Sequence, residues 1–458
     1  MPISDILSAG RSSLIAQQRA LKVNGNNIAN VNTPGYTRQR ADMQSVPGSA
    51  GGGVRVTDVE QIVDRFVETR LLGQSSTAAG AAARRDLLQG VQSLFPTGDA
   101  SVNGALQDFF AAANELSAHP EDLAARNELL NRGEALATRL RGAAQGLADV
   151  QREADQRVTA DVADANTLVS RIADLNRAIR IDEVSTGGTA NELRDQRRTA
   201  LSDLASKIGI RTVENDDGSI DVYTRNGVAL VTGSDAAQLA ANLGATLGLD
   251  GSALHDVGVV AKDGGLIPLG SDPGGEIGAR LEVRDADVPA QAAALDAIAN
   301  TLRTAVNGVQ TDPAGRDLDG LVGTAFFSGT GAKDFAVALS DPRGIAAAQS
   351  ANPNDNANAL ALANLQTATF GGLSGQTLSG ALGTLQSGVG GLVRDATDQA
   401  TVENGLLSSV QAQREAVSGV SLEEEFTDMI RFQRAFQAAA QLVSVGDSML
   451  QELLGMVR

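Results

Sequence analysis

The residue types that most often carry chemistry are few in this chain and badly placed for it. His119 and His255 are the only histidines, and there is no cysteine. Neither histidine sits in an H-E-x-x-H pair or has an acidic neighbour at ligand spacing, and without thiols there is no disulfide and no thiolate metal site. His119 precedes Pro120 where a helical pattern stops, and reads as a surface cap. Gly329-Thr330-Gly331-Ala332-Lys333-Asp334 has the glycines of a phosphate loop but lacks its G-K-[ST] ending and the helix that should follow, so it reads as a turn. Asp216-Asp217-Gly218 and Asp317-Leu318-Asp319-Gly320 are fragments of calcium loops without the other ligands, the bidentate glutamate among them, and also read as turns. There is no Gly-x-Ser-x-Gly elbow. No catalytic residue, cofactor or metal is expected, and the chain reads as a protein that works by contact.

The contacts are written at its two ends. Residues 421–458 read as one amphipathic helix with Leu422, Met429, Phe436, Val443 and Leu450 at sevenfold spacing and Phe426, Ala440 and Leu454 on flanking seam positions. Ser421 and Glu424 have the spacing of a capping box, Gly419 interrupts the preceding helical pattern, and Glu423, Glu424 and Glu425 put negative charge at the positive end of the helix dipole. Leu7, Leu14, Leu21 and Ile28 form a thinner stripe in residues 1–32. There Gln17, Gln18, Asn24 and Asn27 stand where a robust coiled coil has apolar side chains, and Gly10 and Gly25 weaken the helix. Burying four or five seam residues does not offset the ordering of about 30 residues, so both ends are expected to fray in a free monomer and to fold fully against neighbouring copies.

Between the ends the period changes twice. Pro34-Gly35 is a turn pair, and 33–57 reads as an extended linker containing the glycine-rich run Gly48–Gly53. From Asp58 the pattern is helical to about 207, with Ile62, Phe66 and Val67 on one face and Val158, Val162, Ala165, Val169, Ile172 and Ile179 on another. Ile210-Arg211-Thr212-Val213, Ser219-Ile220-Asp221-Val222-Tyr223 and Val228-Ala229-Leu230-Val231, separated by turn residues, predict a meander that opens a β-rich insertion over 208–284. Helical spacing returns over 285–418 with Val288, Leu295, Leu302 and Val309, is interrupted by an extended segment at about 311–375, and ends in a long helix from about Leu382 to Val417. The predicted fold is mainly α with a β-rich insertion: a coiled coil of the N- and C-terminal helices (the latter over 419–458), a central helical bundle and an outward β domain.

Composition narrows the partners. With 55 Asp and Glu against 37 Lys and Arg the net charge is −18, which argues against nucleic acid and anionic membrane surfaces. No apolar run is long enough to span a bilayer, and Met1-Pro2-Ile3-Ser4-Asp5 has neither a basic region nor an apolar core for a cleavable signal.

These residues carry a resemblance. Asn27-Ile28-Ala29-Asn30-Val31-Asn32-Thr33-Pro34-Gly35-Tyr36-Thr37-Arg38 resembles the signature of bacterial flagellar axial proteins, and the runs Ser421–Phe426 and Gln433–Ala438 resemble their common C-terminal helix. Asn191–Arg197, Gly275–Asp285, Phe326–Gly329 and Asp355–Ala363 are similar to the hook-associated protein 1 family of hook–filament junction proteins. The resemblance implies a structural subunit without enzymatic activity, assembled as a ring through its terminal helices. The implied partners are the hook protein, the adjacent hook-associated protein on the filament side, and an export chaperone at the C-terminal helix. It also implies an extracellular place at the hook–filament junction, reached by flagellar type III export without a cleaved signal. Leu7, Leu14, Leu21, Ile28, Leu422, Phe426, Met429, Phe436, Val443 and Leu450 would pack subunits, and Asn30, Thr33, Gly35 and Tyr36 would shape the bend leaving the inner tube. The alternatives are another axial subunit (hook or distal rod) and an axial protein carrying a wall hydrolase in its insertion.

Overall fold

Helical periodicity at both ends and a switch to strands in the middle are what the computed structural model contains; it describes residues 3–46, 52–261, 264–270, 272–352 and 354–456. Helix α1 (Ile3–Ala29) turns into a hairpin, β1 (Gln39–Val46) and β2 (Gly53–Gln61), paired from Gln39↔Gln61 to Val46↔Gly53. The 33–57 segment is thus not an extended linker. Extended runs on either side of the glycines pair with each other and satisfy their own backbone groups. Residues 48–51 of the Gly48–Gly53 stretch lie outside the described residues.

The helical region begins later than Asp58, at α2 (Arg65–Ser93), because Asp64 caps it by accepting from the N–H groups of Phe66 and Val67 at 2.8 and 3.2 Å. Ile62 precedes the helix, and of the three residues assigned to one face only Val67 is buried; Phe66 is 72% exposed. Then come α3 (Val102–Ala118), with His119 as its C-cap, α4 (Leu123–Thr186) and α5 (Asn191–Lys207).

The insertion holds two antiparallel sheets. One is β3 (Ile210–Glu214), β4 (Ile220–Thr224), β5 (Ala229–Thr232) and β6 (Asp235–Ala236). The other is β7 (Leu239–Leu247), β8 (Ala253–Val260) and β9 (Leu266–Pro268). Strands end at Pro268 rather than near Arg284, and Gly275–Glu282 is a helix, α6. Gly274 and Gly275, at φ of 72° and 64°, turn the chain sharply enough to bring Gly275 against Gly80 of α2. A π-helical turn (Val283–Asp287) joins α6 to α7 (Val288–Gln310), because Pro289 has no N–H for the ladder and the helix widens before it.

The stretch expected to be extended is irregular but anchored. It contains β10 (Phe327–Ser328), β11 (Ala336–Val337) and α8 (Ala357–Asn364). Phe326 and Phe327 pack against the Phe109 ring, Phe335 packs against Phe327, and Gly133 of α4 leaves room for the Phe326 ring. Arg126, fully buried, donates to the carbonyls of Pro120 at 2.8 Å and Ile345 at 2.6 Å; burial pulls its pKa down to about 10. Asn358 donates to the carbonyls of Val309 and Ala346. Finally α9 (Leu378–Ser418) runs back along α2, and α10 (Leu422–Met456) along α1.

Helix α4 is the strut of the molecule. At 64 residues it is about 95 Å long. Its buried positions fall three or four residues apart from Leu129 to Ile179, so one stripe serves two cores. Leu129, Leu136 and Leu147 lie in the bundle core with α3, α7 and α9, and Val158, Val169 and Ile172 in the core under the strands.

Where the cores meet, the stripe turns polar. Asp155 accepts from His255 Nδ1 at 2.7 Å and from Arg284 Nη1 at 2.7 Å, while Gln151 donates to the Arg284 carbonyl at 2.9 Å and accepts from Leu249 N at 2.7 Å. Burial raises the Asp155 pKa, but the His255 and Arg284 hydrogen bonds outweigh it and hold the carboxyl below its ordinary value. Its contribution to stability is therefore present above pH ~4 and lost as pH falls through the depressed folded value. Asp155→Asn is expected to cost about 3 kcal/mol at pH 7, and to flatten the fall in urea midpoint between pH 5 and pH 2 seen in the parent chain.

Candidate assembly site at the paired ends

The two end helices run antiparallel, and the side chains at their closest approach are small. A Cβ on Gly10 would lie 2.6 Å from Val443 Cγ2, and one on Gly446 would lie 2.8 Å from Leu7 Cδ2. Gly10, Ala20, Ala439 and Gly446 are buried. Gly10, which weakens an isolated helix, is what lets this pair close. Leu7, Leu14, Leu21 and Ile28 are half-buried, and by sevenfold spacing the last three share the side of Leu7. On α10, Met429 and Val443 are half-buried, whereas Leu422, Phe426, Phe436 and Leu450 are exposed. The seam within the chain is the row Glu425, Phe432, Ala439, Gly446, not the row of the largest apolar residues. A search for hydrophobic repeats finds the latter; the small residues of the former give no such signal.

At the inner end of the pair lies a buried polar knot. Glu425 is 2% exposed. Its carboxylate accepts from Asn27 Nδ2 at 3.1 Å and from Arg38 Nε at 2.7 Å, and its carbonyl accepts from Asn24 Nδ2 at 3.1 Å. Asn27 also donates to the Gln39 carbonyl at 2.8 Å and accepts from Gln39 N at 3.0 Å and Tyr36 Oη at 2.8 Å. The capping role expected of Glu424 gives way: its carboxylate takes Arg38 Nη1 at 2.5 Å, and Ser421 offers its carbonyl to Glu425 N. Asn24 and Asn27 are hinge pins, not flaws in a coiled coil.

The turn that returns the chain is built for this knot. Tyr36 N donates to the Thr33 carbonyl, and Gly35 has φ +81°, so a side chain there is strained. Asn30 donates to the Asn26 carbonyl at 3.0 Å and accepts from Thr33 Oγ1 at 3.1 Å. Burial, with Asp195, Glu425 and Glu192 nearby, pushes the Tyr36 phenol up, keeping it a donor to Asn27. Arg38 N donates to the Ser418 carbonyl at 2.9 Å, tying the turn to the α9–α10 joint. A cleft of about 710 Å³ opens there, between residues 30–36 and 414–421.

The same turn is fastened to the body of the molecule. Arg198 Nη2 donates to Thr37 Oγ1 at 2.9 Å and to Gln61 Oε1 at 2.7 Å, and it also pairs with Asp195. Gln61 donates to Asp195 Oδ1 at 3.0 Å, and Asn191 Nδ2 to the Val59 carbonyl at 2.7 Å. Arg197 donates to Asn176 Oδ1 and the Gly218 carbonyl, both at 2.8 Å. The run Asn191–Arg197 thus clamps the hairpin on one side and the β insertion on the other.

Among the described residues no group of three or more His, Cys, Asp or Glu is placed to hold a metal, and no helix is long and apolar enough to cross a membrane. What the arrangement can do is present packed ends at a fixed angle to a rigid body. Gly10→Leu is expected to cost about 1–3 kcal/mol by overpacking the pair. Trypsin should then cut at Arg431 and Arg434 about tenfold faster or more, with cleavage of the 65–418 body unchanged.

Comparison with known proteins agrees with this architecture. Residues 88–327, over half the chain, match the flagellar hook-associated protein FlgK helical domain. Residues 7–37 match the flagella basal body rod protein model, and residues 411–456 the flagellar basal body rod FlgEFG protein C-terminal model; these two segments meet in the knot. The chain is 29% identical to flagellar hook-associated protein 1 of Bacillus subtilis, over 98% of this chain and 97% of that one. It is 26% identical to flagellar hook-associated protein 1 of Salmonella typhimurium, over 99% and 100%. The structure of the flagellar hook junction protein FlgK from Burkholderia pseudomallei shares the fold, with a TM-score of 0.69 at 15% identity over 76% of this chain and 100% of that one. The chain belongs to the flagellar hook-associated protein FlgK family.

Proposed function

We propose that the chain is a structural subunit of the junction between flagellar hook and filament, assembling in several copies through α1 and α10 and performing no catalysis. The observation that carries this reading is α10. One face is committed to α1 and the knot, while Phe426, Ile430, Leu442 and Met449 stand about half exposed on the others. An apolar surface of that length on an acidic chain calls for protein partners. Full-length relatives named flagellar hook-associated protein 1 support the junction rather than the rod or hook itself.

In this reading the two end helices build an inner wall, the bundle around α4 forms the next shell, and the β insertion stands outward. Hook protein lies on one side and the next hook-associated protein on the other. The turn at Asn30, Thr33, Gly35 and Tyr36 sets the angle between wall and shell. Before assembly, the open face of α10 is the surface an export chaperone would shield while the chain awaits flagellar type III export without a cleaved signal.

Deleting the gene should leave hooks intact and send filament subunits into the medium. Restoring the full chain should return filaments, and restoring a chain that lacks 422–456 should not. Loss of the hook itself would make this another axial subunit. Wall-degrading activity that disappears when 208–284 is removed would make it an enzyme.

A further inference from the structure

A second apolar feature lies on the opposite side of α1. Ile15 and Ala16 of α1 face Val46, Val54 and Val56 of the hairpin across a groove of about 290 Å³, with Arg19 and Arg55 at its rim. Ile15 is 58% exposed and Val46 41%. Ile15 and Arg19 lie roughly half a turn of helix round from Gly10, the point where α10 touches α1. The chain's own α10 therefore cannot fill this groove.

The other half of the match is the tip of α10. Antiparallel pairing of Leu7 with Gly446 sets Ile3 level with Leu450, so 451–456 run past Ile3. Leu453, Leu454 and Met456 are at least half exposed there. Charge agrees with shape. Arg19 and Arg55 have no ion pair among the described residues, in a chain of net charge −18, and Glu452 has none either.

We propose that the groove between α1 and the β1–β2 hairpin receives the last turns of α10 from a second copy, with Leu453 and Leu454 on the Ile15–Val54 floor and Glu452 against Arg19 and Arg55. The proposal rests on the assembly reading above and names the contact that makes it. Groove and tip are different surfaces, one on the flank of α1 and the other at the overhanging end of α10, so the contact is head-to-tail. Contacts of that kind propagate into a ring or a helix and do not stop at a dimer.

The absence of native cysteine makes the test direct. The full chain carrying Ile15→Cys and Leu453→Cys is bound to isolated hooks, oxidised and run under denaturing conditions; Ile15→Cys alone and unassembled protein run alongside. A ladder of dimers, trimers and longer species only from the hook-bound double variant supports the proposal. Hook-bound protein without a ladder overturns the groove while leaving the assembly reading intact. Dimers from Ile15→Cys alone overturn it too, since groove would then meet groove. Parent protein that fails to bind hooks brings down both. A second pair of exposed sites guards against misfolding. Arg55→Glu should weaken hook binding about fivefold, and adding Glu452→Arg should recover it. No recovery contradicts the pairing.

Discussion

The buried carboxylate of Glu425 is the point on which the molecule turns. Two stretches about 400 residues apart meet at that one charge, and each supplies what the other lacks. Asn24, Asn27 and Arg38 come from the N-terminal side, and the carboxylate and the start of α10 from the C-terminal side. A buried ion pair contributes little net stability, because desolvation cancels most of the attraction, but losing one partner strands the other. Its value here is directional. A planar guanidinium, an amide and a phenol fix the approach of the chain far more tightly than apolar packing does. The angle between the end helices and the body is thereby set by hydrogen-bond geometry.

Outward from that knot the requirements divide. The helix pair needs closeness, which glycine and alanine give. Neighbouring copies need apolar area, which Phe426, Ile430 and Leu442 give on surfaces that the pair does not use. Placing small residues inward and large ones outward is the reverse of a self-sufficient coiled coil. It leaves a two-helix arm with a thin interior and a sticky exterior. The body, by contrast, has two conventional cores strung on α4, joined by the Asp155, His255 and Arg284 cluster. Rigid body and marginal arm suit a part that must travel alone and then lock into a larger object.

The fold class was legible in the sequence, since sevenfold spacing marks the end helices and the turn-separated β-branched runs mark the first sheet. Two features of the fold were not, each for a physical reason. The β1–β2 hairpin hides because a glycine-rich stretch reads the same whether its flanks pair or drift apart. Helix α6 hides because it is only eight residues long and Gly275 and Gly278 offset the helix formers of its second half; packing of Gly275 on Gly80 and of Ile277 in the core holds it. The candidate site was half visible. The apolar stripes and the Pro34-Gly35 turn could be picked out, but Glu425 sits in a run of three glutamates that reads as helix-dipole charge, and Asn24, Asn27 and Gly10 read as flaws. A partner hundreds of residues away gives a polar or small side chain its meaning, and no local pattern carries that. His255 hides for the same reason, its acid standing 100 residues before it.

The account rests on the arm being incomplete until other copies surround it, and amide hydrogen exchange reads that directly. In the free chain, protection along α1 and α10 should fall about a thousandfold or more below that of α4, and should rise to comparable levels once the protein is bound at hook tips. End helices as protected as α4 in the isolated protein, unchanged by the hook, would contradict it.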